Sequence, residues 1–412
     1  MRLVYDIGIR IYYFLILIAS PFNPKAKSWI KGRRGLMRRI AEEVDPAASL
    51  IWFHCSSLGE FEQGRPVIEK IREKEAGKKI LLTFYSPSGY EVRKNYEGAD
   101  YIYYMPLDTR KNARLFLDQL KIERAFFVKY EFWYHFISGL QSRNIPIYLV
   151  SGIFRKNQVF FKWYGKWYRN ILTMFDHLFL QQQSSMDLLK SIGINNTSLS
   201  GDTRFDRVND IALKITSDER FLRFCGDSKV IVAGSTWPAD EELIIRYINE
   251  SPSGTKWIIA PHEIHESGVL GFIRQVGKKT QRLTSLIEDE LESTDVMIID
   301  TIGLLSSLYQ YAHISYIGGG FGKGIHNTLE AATFGKPVIF GPNYSKFQEA
   351  KDLVDGKAAI PISGYGEFRA AMDNLLNDST MLKTSGNSAE QYVKSMLGAS
   401  SKIVDYALKS KS

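Results

Sequence analysis

The sequence predicts an α/β protein made of two doubly wound halves. Three observations carry this. Short apolar runs alternate with amphipathic stretches, the pattern of strands joined by helices in a parallel sheet. The alternation pauses near residue 210, in the charged helical stretch "NDIALKITSDERFLRFCGD", and then restarts. A chain of 412 residues also exceeds one ordinary core, so two domains are expected.

In chain order, "SLIWFHCSSLGEFEQGRPVIEKIREK" reads as strand, small-residue turn and helix. "KILLTFYSPSGYEVRKNY" and "RAFFVKYEFWYHFISGLQSRNIPIYLVSG" repeat the unit, and "NQVFFKWYGKWYRNILTMFDHLFLQQQSSMDLLKSIG" reads as an aromatic-rich helix, a strand and a helix. The second half runs through "KVIVAGSTWPADEELIIRYI", "KWIIAPHEI", "VMIIDTIGLLSSLYQYAHISYIGGG" and "GGGFGKGIHNTLEAATFGKPVIFGP". The expected divisions are 1–35 for an N-terminal helix with its basic flank, 36–210 for the first half and 211–412 for the second. The segment from about Gln391 is expected to be helical and to pack back on the first half. Two such halves would leave a cleft beyond the carboxyl ends of their strands, where helix N-termini and loops converge on ligands.

Composition narrows the class. With 44% hydrophobic and 24% charged residues the chain is globular. Cys55 and Cys225 lie far apart and form no disulfide or metal-ligand framework, which suits a reducing compartment. The net charge is +8, but no recognised nucleic-acid motif accompanies it, so no nucleic-acid partner is expected. Part of the excess follows an apolar run, Ile11 to Ala19, as "KAKSWIKGRRGLMRR". That run falls well short of the roughly 20 residues that cross a bilayer. Asp6 and the basic stretch after the run fit a signal peptide poorly. Two readings stand: an anchor or monotopic helix with its basic flank on an anionic cytoplasmic leaflet, or a buried first helix.

Candidate site residues fall at the strand-to-helix turns. "GGGFGKGIHNTLEAATFG" lacks the lysine-serine/threonine ending of a P-loop. Gly318, Gly319 and Gly320 end a strand; His326, Asn327 and Thr328 are expected to open a helix whose free N–H groups suit a phosphate. Glu330, one turn in, suits ribose hydroxyls. In "AGSTWPADEEL", Ser235 or Thr236 is the expected helix cap, with Pro238 in the first turn and Asp240 to Glu242 favouring the dipole. Pro261 and His262 end another strand, and Gly303 marks a further turn. Four such loops on one rim describe a nucleotide pocket. In the first half, Glu60 opens a helix after "HCSSLG"; it either completes a cap or takes a proton from an attacking hydroxyl. "FFVKYEFWYH" puts Lys129 and Glu131 on one side of a strand end if the strand persists, and Arg204 is a fixed cation for a carboxylate or phosphate.

Taken together, "HCSSLGE" (54–60), "SPSGYE" (86–91), "YMPLD" (104–108), "YEFW" (130–133), "GDTRFD" (201–206), "GSTW" (234–237), the glycine-led segment and "FQEAKDL" (347–353) resemble the Kdo transferase family. These enzymes move 3-deoxy-D-manno-octulosonic acid from CMP-Kdo to lipid A precursors. The resemblance runs over almost the whole chain. It implies a GT-B fold, two Rossmann-like domains with the donor in the second. It implies that Glu60 is the base that deprotonates the acceptor hydroxyl, and that Glu131 and Arg204 support the transition state. Pro261, His262, Ile302, Gly303, Leu304 and the run Asn327, Thr328, Leu329, Glu330 match its CMP-binding segments, beside Ser235, Thr236, Gly319, Gly320 and His326. The implied reaction inverts the anomeric carbon; the sequence shows no metal-ligand cluster, so no metal or cofactor is expected. The implied partners are CMP-Kdo, a lipid A precursor such as lipid IVA and the inner-membrane surface, which the enzyme would meet from the cytoplasmic face.

Some positions depart from the family pattern. Lys129 stands where an acidic residue is usual, Trp133-Tyr134-His135 replaces Trp-Pro-Asn, Arg204 replaces lysine, and Pro261-His262-Glu263 replaces Pro-Arg-His. The basic, aromatic "KWYGKWYRN" (162–170) is either a surface for anionic sugar phosphates or an ordinary amphipathic helix. Two rival functions remain: a GT-B glycosyltransferase that uses a UDP-sugar, and a membrane-bound sugar-nucleotide binding protein without catalysis.

Overall fold

The computed structural model describes residues 1–251 and 254–409. The chain divides into two compact units. The first holds Met1–Arg207 together with the chain from Leu397 onward, and the second holds Val208–Met396.

The first unit is built on a parallel seven-stranded sheet. Its strands are β1 (Leu50–Cys55), β2 (Lys79–Phe84), β3 (Tyr101–Tyr104), β4 (Ile122–Val128), β5 (Ile147–Gly152), β6 (His177–Leu180) and β7 (Thr197–Leu199). They lie in the order β3-β2-β1-β4-β5-β6-β7. All six residues of β1 are buried, as expected of a central parallel strand covered on both faces. The strand order reverses between β1 and β4, and that switch point is where an open α/β sheet receives ligands.

The second unit repeats the plan. Strands β8 (Lys229–Thr236), β9 (Thr255–Pro261), β10 (Thr280–Arg282), β11 (Val296–Ile298), β12 (Ile314–Ile317), β13 (Val338–Phe340) and β14 (Ala359–Pro361) form a second parallel sheet. Its order is β10-β11-β9-β8-β12-β13-β14, so β8 and β12 flank its switch point. The expected pair of doubly wound, Rossmann-like domains is what the chain forms.

The first helix, Arg2–Ala19, has no buried residue, yet it is tied to its unit at several points. Tyr5 donates to Asp108, His135 pairs with Asp6, and the Tyr12 ring packs 6.5 Å from Trp29. Neither sequence reading describes it fully: it is docked along one edge with its apolar residues exposed, Phe14, Leu15 and Ile18 among them. Among the described residues no single helix is long and apolar enough to cross a membrane. The first helix and the next, Pro24–Arg33, pass that test only as a pair bent by 120°. In "KWYGKWYRN" the helix starts only at Lys166; Trp163, in the turn before it, is 90% exposed. The last described helix, Ala399–Lys409, lies in the first unit, where Arg124 donates to the Ala407 carbonyl at 3.1 Å.

Candidate active site

In the first unit the candidate residues gather at the switch point. Glu60 lies in the first turn of the helix Leu58–Lys74, which follows β1, and Ser57 at the N-cap position donates its hydroxyl to the Glu60 carboxylate. Glu131 follows β4. Burial pushes the Cys55 thiol well above its ordinary value, and the Glu60 and Glu131 carboxylates add to the shift, so both acids lie close to the end of β1. Glu131 is 8% exposed, and its Oε2 accepts from Trp133 Nε1 at 2.6 Å and lies 3.1 Å from His54 Nε2.

The strand does not persist to Glu131. It ends at Val128, and Lys129 adopts a left-handed backbone, φ 64°, a strained state for a residue with a side chain. The simple alternation expected for Lys129, Tyr130 and Glu131 is therefore lost. Ser235, at the end of β8, has the same unusual backbone, φ 53°. Arg204 stands at the start of the helix Thr203–Lys214. Its guanidinium is paired with Asp202 of the same turn at 2.7 Å, and Thr203 Oγ1 donates to the Gln63 carbonyl at 2.6 Å, one turn past Glu60.

In the second unit, a buried carboxylate ties the loops after β8 and β12 together. Asp240 Oδ2 accepts the backbone N–H groups of Trp237 and Gly319, both at 2.9 Å, and Oδ1 accepts the Tyr316 hydroxyl at 2.7 Å. The helix Pro238–Glu250 is capped by this carboxylate, with Trp237 in the N-cap position. Neither Ser235 nor Thr236 is the cap; Thr236 Oγ1 donates to Glu241 at 2.9 Å instead. The sequence reading missed Trp237 and Asp240 as site residues. The available signal was the carboxylate three positions after Trp237, a capping spacing.

The rings of Trp237, His262 and His326 form a stack, with centroids 4.7 Å and 4.2 Å apart. Trp237 Nε1 donates to His326 Nε2 at 3.1 Å, so the His326 ring presents Nδ1 as a donor. Burial, then the adjacent His262, push the His326 pKa below its ordinary value, and Asp240 opposes the shift.

The helix that His326 was expected to open is a single turn, Leu329–Ala332, so it offers little macrodipole. His326 and Asn327 precede it. Asn327 Oδ1 accepts from Leu329 N at 3.1 Å, and Glu330 accepts from Asn327 Nδ2 at 3.0 Å and Ser306 Oγ at 2.8 Å. Thr328 is buried. Part of the glycine cluster serves packing: a Cβ on Gly318 would lie 2.2 Å from the Ser235 carbonyl oxygen. Close by is a cavity of about 130 Å³ lined by Ser235, Pro261, His262, Thr301, Ile302 and Gly303. Thr301 Oγ1 is buried there with no hydrogen-bond partner among the described residues, while Ile302 is 94% exposed.

Residues 29–207 match the family described as 3-Deoxy-D-manno-octulosonic-acid transferase (kdotransferase). A probable mitochondrial 3-deoxy-D-manno-octulosonic acid transferase of Arabidopsis thaliana is 29% identical over 376 residues, covering 86% of this chain and 83% of the relative. The 3-deoxy-D-manno-octulosonic acid transferase of Aquifex aeolicus is 26% identical over 357 residues, covering 85% and 92%. The chain carries a Kdo transferase domain over residues 29–207 and is similar to Kdo transferases over most of its length.

These relatives support a glycosyltransferase enzyme. The fold is shared more widely. The UDP-GlcNAc 2-epimerase of Neisseria meningitidis, solved with UDP-GlcNAc, covers 88% of this chain and 100% of its own, with a TM-score of 0.61 at 18% identity. MurG of Acinetobacter baumannii covers 88% and 99%, with a TM-score of 0.55 at 12% identity. At such identities the likeness is one of fold alone. Within this chain, all the nucleotide-site candidates lie in the second unit and Glu60, Glu131 and Arg204 in the first.

Proposed function

We propose that the enzyme transfers Kdo from CMP-Kdo to a sugar hydroxyl of a lipid A precursor such as lipid IVA, with inversion at the anomeric carbon. The observation that carries this reading is that each unit gathers its candidate residues at the switch point of its own sheet. Glu60 accepts the proton of the attacking hydroxyl; Ser57 holds the carboxylate by its hydroxyl. Glu131 and Arg204 support the charge that develops. In the second unit Pro261, His262, Ile302, Gly303, Leu304 and Asn327 to Glu330 hold CMP, with Ser235, Thr236, Gly319 and Gly320 shaping the loops. The unpartnered Thr301 hydroxyl and the exposed Ile302 give a polar and an apolar contact for the nucleoside. His326 Nδ1–H is aimed as a neutral donor for the leaving phosphate, in place of the helix dipole that the sequence suggested.

The acceptor is proposed to be met at the cytoplasmic face of the inner membrane. The exposed apolar residues of the first helix support this, as does a cavity of about 680 Å³ beside it, lined by Asp6, Arg10, Asp108, Arg110, Lys111 and Arg114. Four cations, Arg10, Arg110, Lys111 and Arg114, outnumber its two acids, which are hydrogen-bonded to His135 and Tyr5.

The test is Kdo transfer from CMP-Kdo to a tetraacylated lipid A precursor, with EDTA present, for wild type and Glu60→Ala. Product from the wild type alone supports donor, base and metal independence. Competition by UDP but not CMP would move the assignment to a UDP-sugar. Nucleotide binding without turnover would leave a binding protein.

A further inference from the structure

Behind Glu131 runs a chain of buried hydrogen bonds that the proposed reaction has not yet used. Trp52, His54 and Thr83 are all 0% exposed. Trp52 Nε1 lies 2.8 Å from Thr83 Oγ1, His54 Nδ1 lies 2.9 Å from the same oxygen, and His54 Nε2 lies 3.1 Å from Glu131 Oε2.

The chemistry of the partners sets the direction. An indole N–H only donates, so Thr83 Oγ1 accepts from Trp52. The single Thr83 proton then has two outlets: His54 Nδ1 at 2.9 Å, or the Phe53 carbonyl at 3.4 Å. The shorter bond is the stronger, which makes Nδ1 an acceptor and assigns the ring proton to Nε2. The Nε2–H donates to Glu131, a carboxylate acceptor. All the bonds point one way, from Trp52 through Thr83 and His54 to Glu131, and such chains polarise each other cooperatively.

Trp133 Nε1 lies 3.1 Å from His54 Nε2 and 2.6 Å from Glu131 Oε2. The nearer, charged carboxylate is the stronger acceptor for the indole N–H. A bare Nε2 lone pair 3.1 Å from that carboxylate would be repelled, so Oε2 receives two N–H donors, from His54 and from Trp133. Oε1 has no hydrogen-bond partner among the described residues. We propose that His54 is a positioning residue that locks Glu131 through Oε2, so that Oε1 is presented as the acceptor for a hydroxyl of the bound sugar. Thr83 and Trp52 hold the ring in the tautomer this requires. The assignment rests on the proposed function for the identity of the sugar, but the hydrogen-bond chain itself does not.

Two measurements separate those dependencies. In protein labelled with ¹⁵N-histidine, long-range correlation spectra of the full chain should show His54 with its proton on Nε2. An Nδ1–H ring overturns the proposal whether or not Kdo is the substrate. The second measurement is kinetic. His54→Gln places an amide N–H near the Nε2 position and should retain most activity. His54→Phe fills the site without a donor and should lower kcat by about 10- to 100-fold, taking as a scale the loss seen when a hydrogen-bond partner that orients a metal ligand is removed. KM for the sugar nucleotide should change little. Thr83→Val, nearly the same shape, should lower kcat in the same direction and shift the His54 signals, and it decides the matter if His54→Phe does not fold. Wild-type kcat in folded Thr83→Val and His54→Phe would sink the positioning role. A wild type with no Kdo transfer but an Nε2–H ring would instead count against the proposed function.

Discussion

The Asp240 carboxylate and the Gly319 backbone amide, 79 positions apart in sequence, meet at 2.9 Å. The same oxygen caps the helix behind Trp237 at 2.9 Å. One buried side chain therefore fixes the loops after β8 and β12 to each other. Asp240→Ala strands two amides and the Tyr316 hydroxyl in the interior. A loss of about 3 kcal/mol in unfolding free energy is expected, the upper range for hydrogen bonds to a charged group. CMP affinity should fall with it. Denaturant titration and calorimetry check both, and wild-type values for both would show that the carboxylate holds nothing.

Gly318 supplies a second, steric link between those loops. A Cβ there would approach Ser235 O to 2.2 Å and Thr236 Cα to 2.7 Å, both backbone atoms that cannot swing aside. Gly318→Ala should destabilise the protein by about 1–3 kcal/mol, as other overpacking changes do. Gly322→Ala is the control, since its nearest neighbour would lie 3.6 Å away. Equal melting temperatures for the two variants would contradict this.

Acid should loosen the second unit through two histidines. His313 Nδ1 accepts the Val230 N–H at 3.1 Å, and His326 Nε2 accepts the Trp237 indole N–H. Burial lowers both pKa values below the ordinary 6.5, helped at His313 by Lys336 and Lys229 and at His326 by His262. The unfolded chain takes up these protons first, so the stabilisation is complete above pH 6.5 and is lost as the pH falls through the lower folded values. The expected result is a lower denaturation midpoint at pH 5.5 than at pH 7.5, with a smaller drop in His313→Asn. A variant that tracks the wild type at both pH values would remove His313 from the account. Asp108 and Glu241, raised chiefly by burial, work in the opposite sense at more acid pH.

The cationic cavity beside the first helix should govern binding to anionic membranes. At about 1 kcal/mol per basic residue near such a surface, neutralising Arg110 and Arg114 together should weaken vesicle binding roughly 30-fold. Sedimentation with phosphatidylglycerol vesicles measures it, and the difference should shrink in high salt. If Arg110→Ala/Arg114→Ala binds those vesicles as the wild type does, the apolar helix alone makes the contact.

Much of this architecture was legible because apolar runs such as Leu50–Cys55 have the length and turn boundaries of buried parallel strands. Glu60 was legible for the same reason, as the first acid after a strand and a small-residue turn. What stayed hidden depended on partners distant in sequence. Asp240 reads as an ordinary first-turn acid until Gly319 is beside it. His54 reads as one residue of an apolar strand until Thr83 and Glu131 flank its ring. The left-handed backbone at Lys129 ended a strand that periodicity would have continued, and this changed the direction in which Glu131 looks. The glycine run suggested a phosphate seat, and part of it proved to be the close approach of two loops.

The helix Ala399–Lys409 gives the first unit a discontinuous make-up, with consequences for how the chain is synthesised. Ile403, Val404 and Ala407 complete the core shared by the Glu60 helix and β1, and Ala407 supplies the carbonyl that satisfies Arg124, itself 1% exposed. A ribosome that has released residues 1–207 has therefore not released everything this core needs. The stretch 208–396 is contiguous and is complete in sequence first, so the second unit can finish folding while the unit carrying Glu60 still waits for its last helix. Translation arrested between the two would leave a buried arginine without its carbonyl and an apolar face open to chaperones.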